Sequence, residues 1–323
     1  MNLKRWIARR EPNWKQLDAL LDRIEKRGLR SLSTDEIKQL ASLYRSVSAD
    51  LARAQTHQTL VGNTLVQDLQ RLTSRAYSQV YQGDRRQEWQ GILQFYQWGL
   101  PEVIQQSIGY LALSTGLFLV GALIGWWFSW RDPVFLSLVV PQHLITTVRD
   151  EGKLWMGSIL GTEPVASSQI MINNLAVSFR AVAGGITLGL YTGFLLFFNG
   201  LLIGAVATLV GQNHLAFPFW AFVLPHGSLE LPAIFLAGAA GLLLARGILL
   251  PGNYRRVDAI KFYGLKAAQL MYGVIPLLVI AGVIEGFFSP NPAIPDPLKY
   301  LVGLALLVGL ISYCDRQKPT LTN

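Results

Sequence analysis

Apolar and polar positions change their rhythm near residue 105. Before it, apolar residues recur at helical spacing with polar ones between them. Trp14, Leu17, Leu20, Leu21 and Ile24 make one stripe, and Gly28 ends that helix. Ser33-Thr34-Asp35-Glu36 opens the next, with acids in a first turn whose free N–H groups favour them. Leu40, Leu43, Tyr44, Val47 and Leu51 then share a face, with Lys38, Arg45 and Asp50 off it. A third helix is expected over about Leu60–Tyr81 and a fourth after Gly83-Asp84. The pattern predicts a small helical bundle over 1–105. Residues 1–10, and the aromatics Trp89, Phe95, Tyr96 and Trp98, suit a partner or the membrane interface.

Beyond residue 105 the apolar runs reach membrane length, about 20 residues. Spans are expected at about Ile108–Phe128, Ala176–Phe198, Gly200–Val210, Leu229–Leu249, Ala268–Phe288 and Leu298–Tyr313. The first ends in an interfacial belt of Trp126, Trp127 and Trp130. Val134–Val148, with Pro141 inside it, is too short for a span and reads as an interfacial or re-entrant segment. The third span is short. The polar run Gly211-Gln212-Asn213-His214 interrupts it before the apolar piece Leu215–Leu224, which predicts a broken helix or re-entrant hairpin. Pro276 is expected to kink the fifth span. Small residues recur every fourth position at Gly185, Gly189 and Gly193, at Gly200, Gly204 and Thr208, and at Ala233, Ala237, Gly241 and Ala245. Such stripes let helix backbones approach closely in lipid.

The fold class expected is therefore all-α: a polytopic membrane bundle of about six spans plus a broken or re-entrant segment, with a soluble helical domain before it. The domains are 1–105, 106–317 and a tail at 318–323. Composition agrees, since only 15% of residues are charged against about a quarter in soluble domains. Net charge is +8, and 16 of the 28 Lys and Arg precede Ile108. That places the N-terminus in the cytoplasm. Six crossings also put Arg255, Arg256, Lys261, Lys266, Arg316 and Lys318 inside, and the cation-poor stretches 131–170 and Ser289–Pro297 outside. The basic balance belongs to a membrane surface rather than to nucleic acid. Met1–Trp6 lacks an apolar core, so no cleavable signal is expected. Cys314 is the single cysteine, which excludes an intrachain disulfide.

Candidate chemistry centres on Leu224-Pro225-His226-Gly227-Ser228-Leu229-Glu230-Leu231-Pro232. An acid beside hydrocarbon costs about 2.5–3.5 kcal/mol at the bilayer centre and needs a partner, a cap or water. With Ser228 as N-cap, Glu230 falls in a first turn and Pro232 is tolerated. A functional carboxylate, for protons, an ion or an amine, is the other reading. The candidate buried polar site is Asn173, Asn174, Arg180, Asn199, His226 and Glu230, with Glu285 a further polar residue in the spans and Arg180 expected to pair with Glu230. His-x-x-x-Glu offers at most two metal ligands, and the sequence nominates no convincing third, so no metal or other cofactor is expected. No phosphate loop and no Gly-x-Ser-x-Gly are present, so an enzyme is not expected.

Several stretches carry a resemblance. Trp14-Lys15-Gln16-Leu17, Leu20-Leu21, Leu32-Ser33, Glu36-Ile37, Leu43-Tyr44-Arg45 and Ala49–Ala54 are joined by Asn173-Asn174, Asn199-Gly200, Pro225-His226-Gly227 and Glu230–Ala233. In this order they resemble the bacterial stage II sporulation protein M family, in its long form with an N-terminal domain. The resemblance implies a non-enzymatic membrane protein that organises a complex with cell-wall-degrading partners. Implied with it are an inner or other internal bacterial membrane, a lipid bilayer around the spans and other membrane or envelope proteins as partners. A homodimer is expected from the surplus of glycine faces. The alternative is a transporter or channel component, read from the broken third region and from Glu230.

Overall fold

The structure, a computed structural model, describes residues 3–56, 62–81, 85–159 and 161–318. Among these residues there are helices and no strands. The chain divides into two compact units, Met1–Gln94 and Phe95–Asn323.

In the first unit, α1 (Leu3–Arg27), α2 (Thr34–Thr56) and α3 (Asn63–Tyr81) bury the predicted stripes in one core, and α4 (Arg85–Gln94) follows. Leu17, Leu21 and Val47 are fully buried there. Leu60 and Gly83-Asp84, used for the third and fourth helices, lie outside the described residues. Gly28, at φ 77°, ends α1. The start of α2 is a reciprocal cap: Ser33 N–H donates to Glu36 Oε2 at 2.8 Å, and Glu36 N–H donates to Ser33 Oγ at 3.3 Å. Asp50, expected off the apolar stripe, is buried instead. It accepts from Arg10 Nε at 2.7 Å and from Trp14 Nε1 at 2.9 Å, so its charge is paired inside the core. Arg75 reaches back to α1 and holds Asp18, Asp22 and Glu25.

The second unit opens with a π turn, Phe95–Gly99, and a short α5 (Leu100–Gln106). Six helical segments in it are long and apolar enough to cross a membrane: Ile108–Arg131, Glu163–Thr187, Leu190–Gln212, Ala216–Leu249, Arg256–Phe288 and Asp296–Cys314. Their α-helical parts are α6 (Ile108–Arg131), α9 (Glu163–Ala183), α10 (Leu190–Gln212), α11 (Ala216–Leu249), α12 (Arg256–Val283) and α13 (Asp296–Cys314). The expected segment Val134–Val148 is two short helices, α7 (Pro133–Val139) and α8 (Gln142–Arg149), separated at Val140-Pro141. Together with Met156 they bury Leu136, Val140, Ile145 and Val148 in the same core as Leu209, Val210 and Phe219.

The number of spans agrees with the sequence, but three boundaries do not. The run Ala176–Phe198 is not one helix. It is cut by a 3-10 turn at Gly184–Thr187, with Leu188 at φ 59° and Gly189 at φ 85°. Hydropathy misses this turn because it is built from apolar residues. The polar run 211–214 does interrupt a helix, but it is the turn between two whole spans rather than a break inside one. Finally, α11 begins at Ala216 and carries Pro225 and Pro232 in its interior. Ser228 is therefore no N-cap, and its hydroxyl donates to the Pro225 carbonyl at 2.9 Å.

Small residues set the packing. Gly121 and Gly125 of α6 face the backbone at Phe197 and Leu201 of α10, while Gly200 and Gly204 of α10 face Phe118 and Ala122 of α6. Thr208 Oγ1 extends that contact to the Trp126 carbonyl at 3.1 Å. Ala233, Ala237, Gly241 and Ala245 are all buried along α11, and Gly241 faces the Ala181 carbonyl and Thr192. Leucines and phenylalanines such as Leu123, Phe194 and Leu301 point outward from the bundle. Small inside and large apolar outside is the arrangement lipid favours.

A buried histidine and two glutamates between neighbouring helices

His226 and Glu230 lie one turn apart on α11 and face the same way, as i and i+4 positions do on a helix. Opposite them α12 ends in a π turn, Ile284–Phe288, closed by Ser289 N–H to the Ile284 carbonyl at 2.8 Å. This wider turn carries Glu285, with Ser289 just beyond it. The side chains of His226, Glu230 and Glu285 each offer one ligand atom, and these atoms all lie within 4.8 Å of one another. His226 Nε2 is 3.9 Å from Glu285 Oε1, and His226 Nδ1 is 3.2 Å from Ser289 Oγ. The edge of Phe222 closes another side, with ring centroids 5.3 Å apart at 72°. From α9, Ser167 Oγ donates to the Gly282 carbonyl at 2.7 Å and braces the turn from behind.

His226 and Ser289 are buried, and the Glu285 side chain keeps 15% of its exposure. Among the described residues neither glutamate has a lysine or arginine partner. Two ionised carboxylates no more than 4.8 Å apart would repel by at least about 3 kcal/mol at an effective dielectric constant near 20. A proton or a cation between the acids would relieve that repulsion.

The other candidates sit elsewhere. Asn173 and Arg180 are exposed on α9, and Asn173 Nδ2 reaches only its neighbour, Asn174 Oδ1, at 3.5 Å. Asn199 donates to the Leu195 carbonyl of its own helix at 2.7 Å. No hydrogen bond or ion pair among the described residues joins Asn173, Asn174, Arg180 or Asn199 to His226 or Glu230, and the Arg180–Glu230 pair is not formed. Capping is likewise no longer a role for Glu230, which lies deep inside α11. Sequence reasoning left Glu285 out of the site and passed over Ser289. The apolar setting of Glu285 was the signal, but its proximity to His226 exists only once α11 and α12 pack together. Glu285 thus supplies the third ligand-bearing side chain that the sequence did not nominate. A cavity of about 460 Å³ lies elsewhere in the bundle, lined by Ile104, Ile108, Pro232, Leu236, Leu307 and Ile311 among others.

The family model described as Stage II sporulation protein M matches residues 114–290, more than half of the chain and the whole of this cluster. The chain belongs to the stage II sporulation protein M family. With its six apolar spans, this family member is an integral membrane protein. A second family model, a domain of unknown function (DUF8413), matches residues 4–82. Two archaeal relatives come from Methanocaldococcus jannaschii. Uncharacterized protein MJ0793 is 32% identical over 126 residues, which is 38% of this chain and 71% of the relative. Uncharacterized protein MJ0706 is 28% identical over 102 residues, 31% of this chain and 46% of the relative. No solved structure matches the chain.

Proposed function

We propose that this stage II sporulation protein M family member is a non-enzymatic organiser of a membrane complex linked to envelope or cell-wall remodelling. The observation that carries this reading is its two-part build. A helical headpiece with its own core and a charged surface shares the chain with a bundle of continuous, glycine-packed spans. Such a headpiece suits docking, and such a bundle suits anchorage. The discontinuous helix that would favour transport is absent from the region where the sequence suggested it. Charge supports an N-terminus and C-terminus in the cytoplasm of a bacterial inner or other internal membrane. With the N-terminus inside, six crossings by the apolar helices would also put the cations Arg255, Arg256 and Arg316 inside and residues 132–162 outside.

A second reading, a transporter or channel component, is favoured by the buried His226–Glu230–Glu285 cluster. Photo-crosslinkers at exposed Ile37 and Leu138, together with flux in liposomes, separate the two. Organisation predicts discrete envelope partners captured in cells and no flux. Flux that disappears in Glu230→Gln, with no partner captured, would replace the first reading by the second.

A further inference from the structure

We infer that His226, Glu230 and Glu285 form a binding site for one divalent transition-metal cation of the zinc class, joining α11 to the π turn of α12. Three features converge on it. The three ligand atoms already lie within 4.8 Å of one another, while two ligands of a tetrahedral zinc, each about 2.0–2.2 Å from the metal, are roughly 3.3–3.5 Å apart. Small rotamer changes close that gap. His226 is only 5% exposed, and its Nε2 lies 3.9 Å from Glu285 Oε1, on the side of the acids. Its other ring nitrogen meets Ser289 Oγ at 3.2 Å. A proton on Nδ1, donated to that hydroxyl, leaves the Nε2 lone pair directed at the acids. This is how a hydrogen bond on one ring nitrogen fixes the other as a ligand.

Charge selects the ion. A dication with two carboxylates and a neutral imidazole has zero net charge, which removes both the repulsion between the acids and the cost of burying them. One nitrogen and two carboxylates suit zinc, iron(II) or manganese(II). Calcium and magnesium prefer oxygen alone, and copper(I) prefers thiolate or thioether. Three protein ligands leave a fourth position for water or for a donor from another molecule. The site is independent of whether the protein organises partners or moves a solute.

The test uses the full-length protein in lipid nanodiscs, stripped with a chelator and titrated with Zn²⁺. Wild type is expected to take up one equivalent per chain. His226→Ala, Glu230→Gln and Glu285→Gln should each weaken binding at least tenfold, and Ser289→Ala about tenfold. A chain with His57, His143 and His214 all replaced by alanine should bind as wild type does. Loss of binding in that chain, or unchanged binding in Glu285→Gln, would overturn the site. So would wild type that binds less than about a tenth of an equivalent. Should the acid variants fail to insert, Co²⁺ bound to wild type decides instead. Pulsed EPR must show a single imidazole nitrogen on the metal, and none or several would refute the assignment.

Discussion

A Cβ placed on Gly204 of α10 would lie 2.8 Å from the carbonyl carbon of Ala122 on α6. Gly125, Gly121 and Gly200 repeat this backbone-on-backbone contact along the same pair of helices, so it offers no slack. Gly204→Val should therefore force α6 and α10 apart. The expected loss is about 1–3 kcal/mol, read as an earlier unfolding midpoint in a denaturing-detergent titration. Gly116, whose Cβ would meet nothing, is the matched control and should tolerate alanine.

The core of the headpiece contains a charge. Asp50 is 4% exposed and accepts from both Arg10 and Trp14. Removing it leaves the indole N–H without its acceptor and the Arg10 guanidinium with only the Ser46 carbonyl and hydroxyl. Asp50→Ala should cost about 1.5–3 kcal/mol, the usual range for a hydrogen bond to a charged group. Hydrogen exchange of the α1 and α2 peptides should speed up, while that of α11 stays unchanged.

Acid should loosen the start of α2 first. The Ser33 backbone N–H, and then Arg23, hold the Glu36 carboxyl below the usual carboxylate range. A depressed folded value means stabilisation that is complete above the unfolded carboxylate pKa and is lost as pH falls through the folded one. Amide protection over residues 33–40 should thus decline below about pH 4.3. In Glu36→Gln this acid-dependent step should be absent.

Leu188 occupies a left-handed conformation at φ 59°, which a branched side chain adopts only at a cost of about 1–2 kcal/mol. Leu188→Gly removes that cost at an exposed position. The variant should unfold about 1 kcal/mol later in the same detergent titration. If Ala176–Phe198 were instead one continuous helix, glycine there would destabilise by about 1 kcal/mol, so the sign of the effect reports the turn.

These predictions rest on features that were not equally legible in the sequence. Helix existence was plain wherever burial follows a period, as at Leu17 and Leu21, or wherever apolar residues run on to span length. The face formed by Gly200, Gly204 and Thr208 was legible because small residues at a spacing of four have few other uses in lipid. What escaped were features that hydropathy does not encode. Leu188 turns the chain without any polar marker. Pro225 and Pro232 look like helix boundaries, yet tertiary packing carries α11 through both. The site divides in the same way. His226 and Glu230 share one turn and can be read together, whereas Glu285 joins them only through the pairing of α11 with α12. The asparagines and Arg180 were grouped with them because all are polar in an apolar region, and polarity alone does not specify a helical face.

The π turn at Ile284–Phe288 is, in sequence terms, one residue more than a regular α-helical turn needs. Its loss would return the stretch to a regular α-helical turn and draw Ser289 one position closer to Glu285, away from its place against His226. Evolution can therefore dismantle the cluster by a single-codon deletion as readily as by replacing an acid. In family members that lack the counterparts of Glu285 and His226, selection no longer maintains the extra residue, and that stretch should run one position shorter.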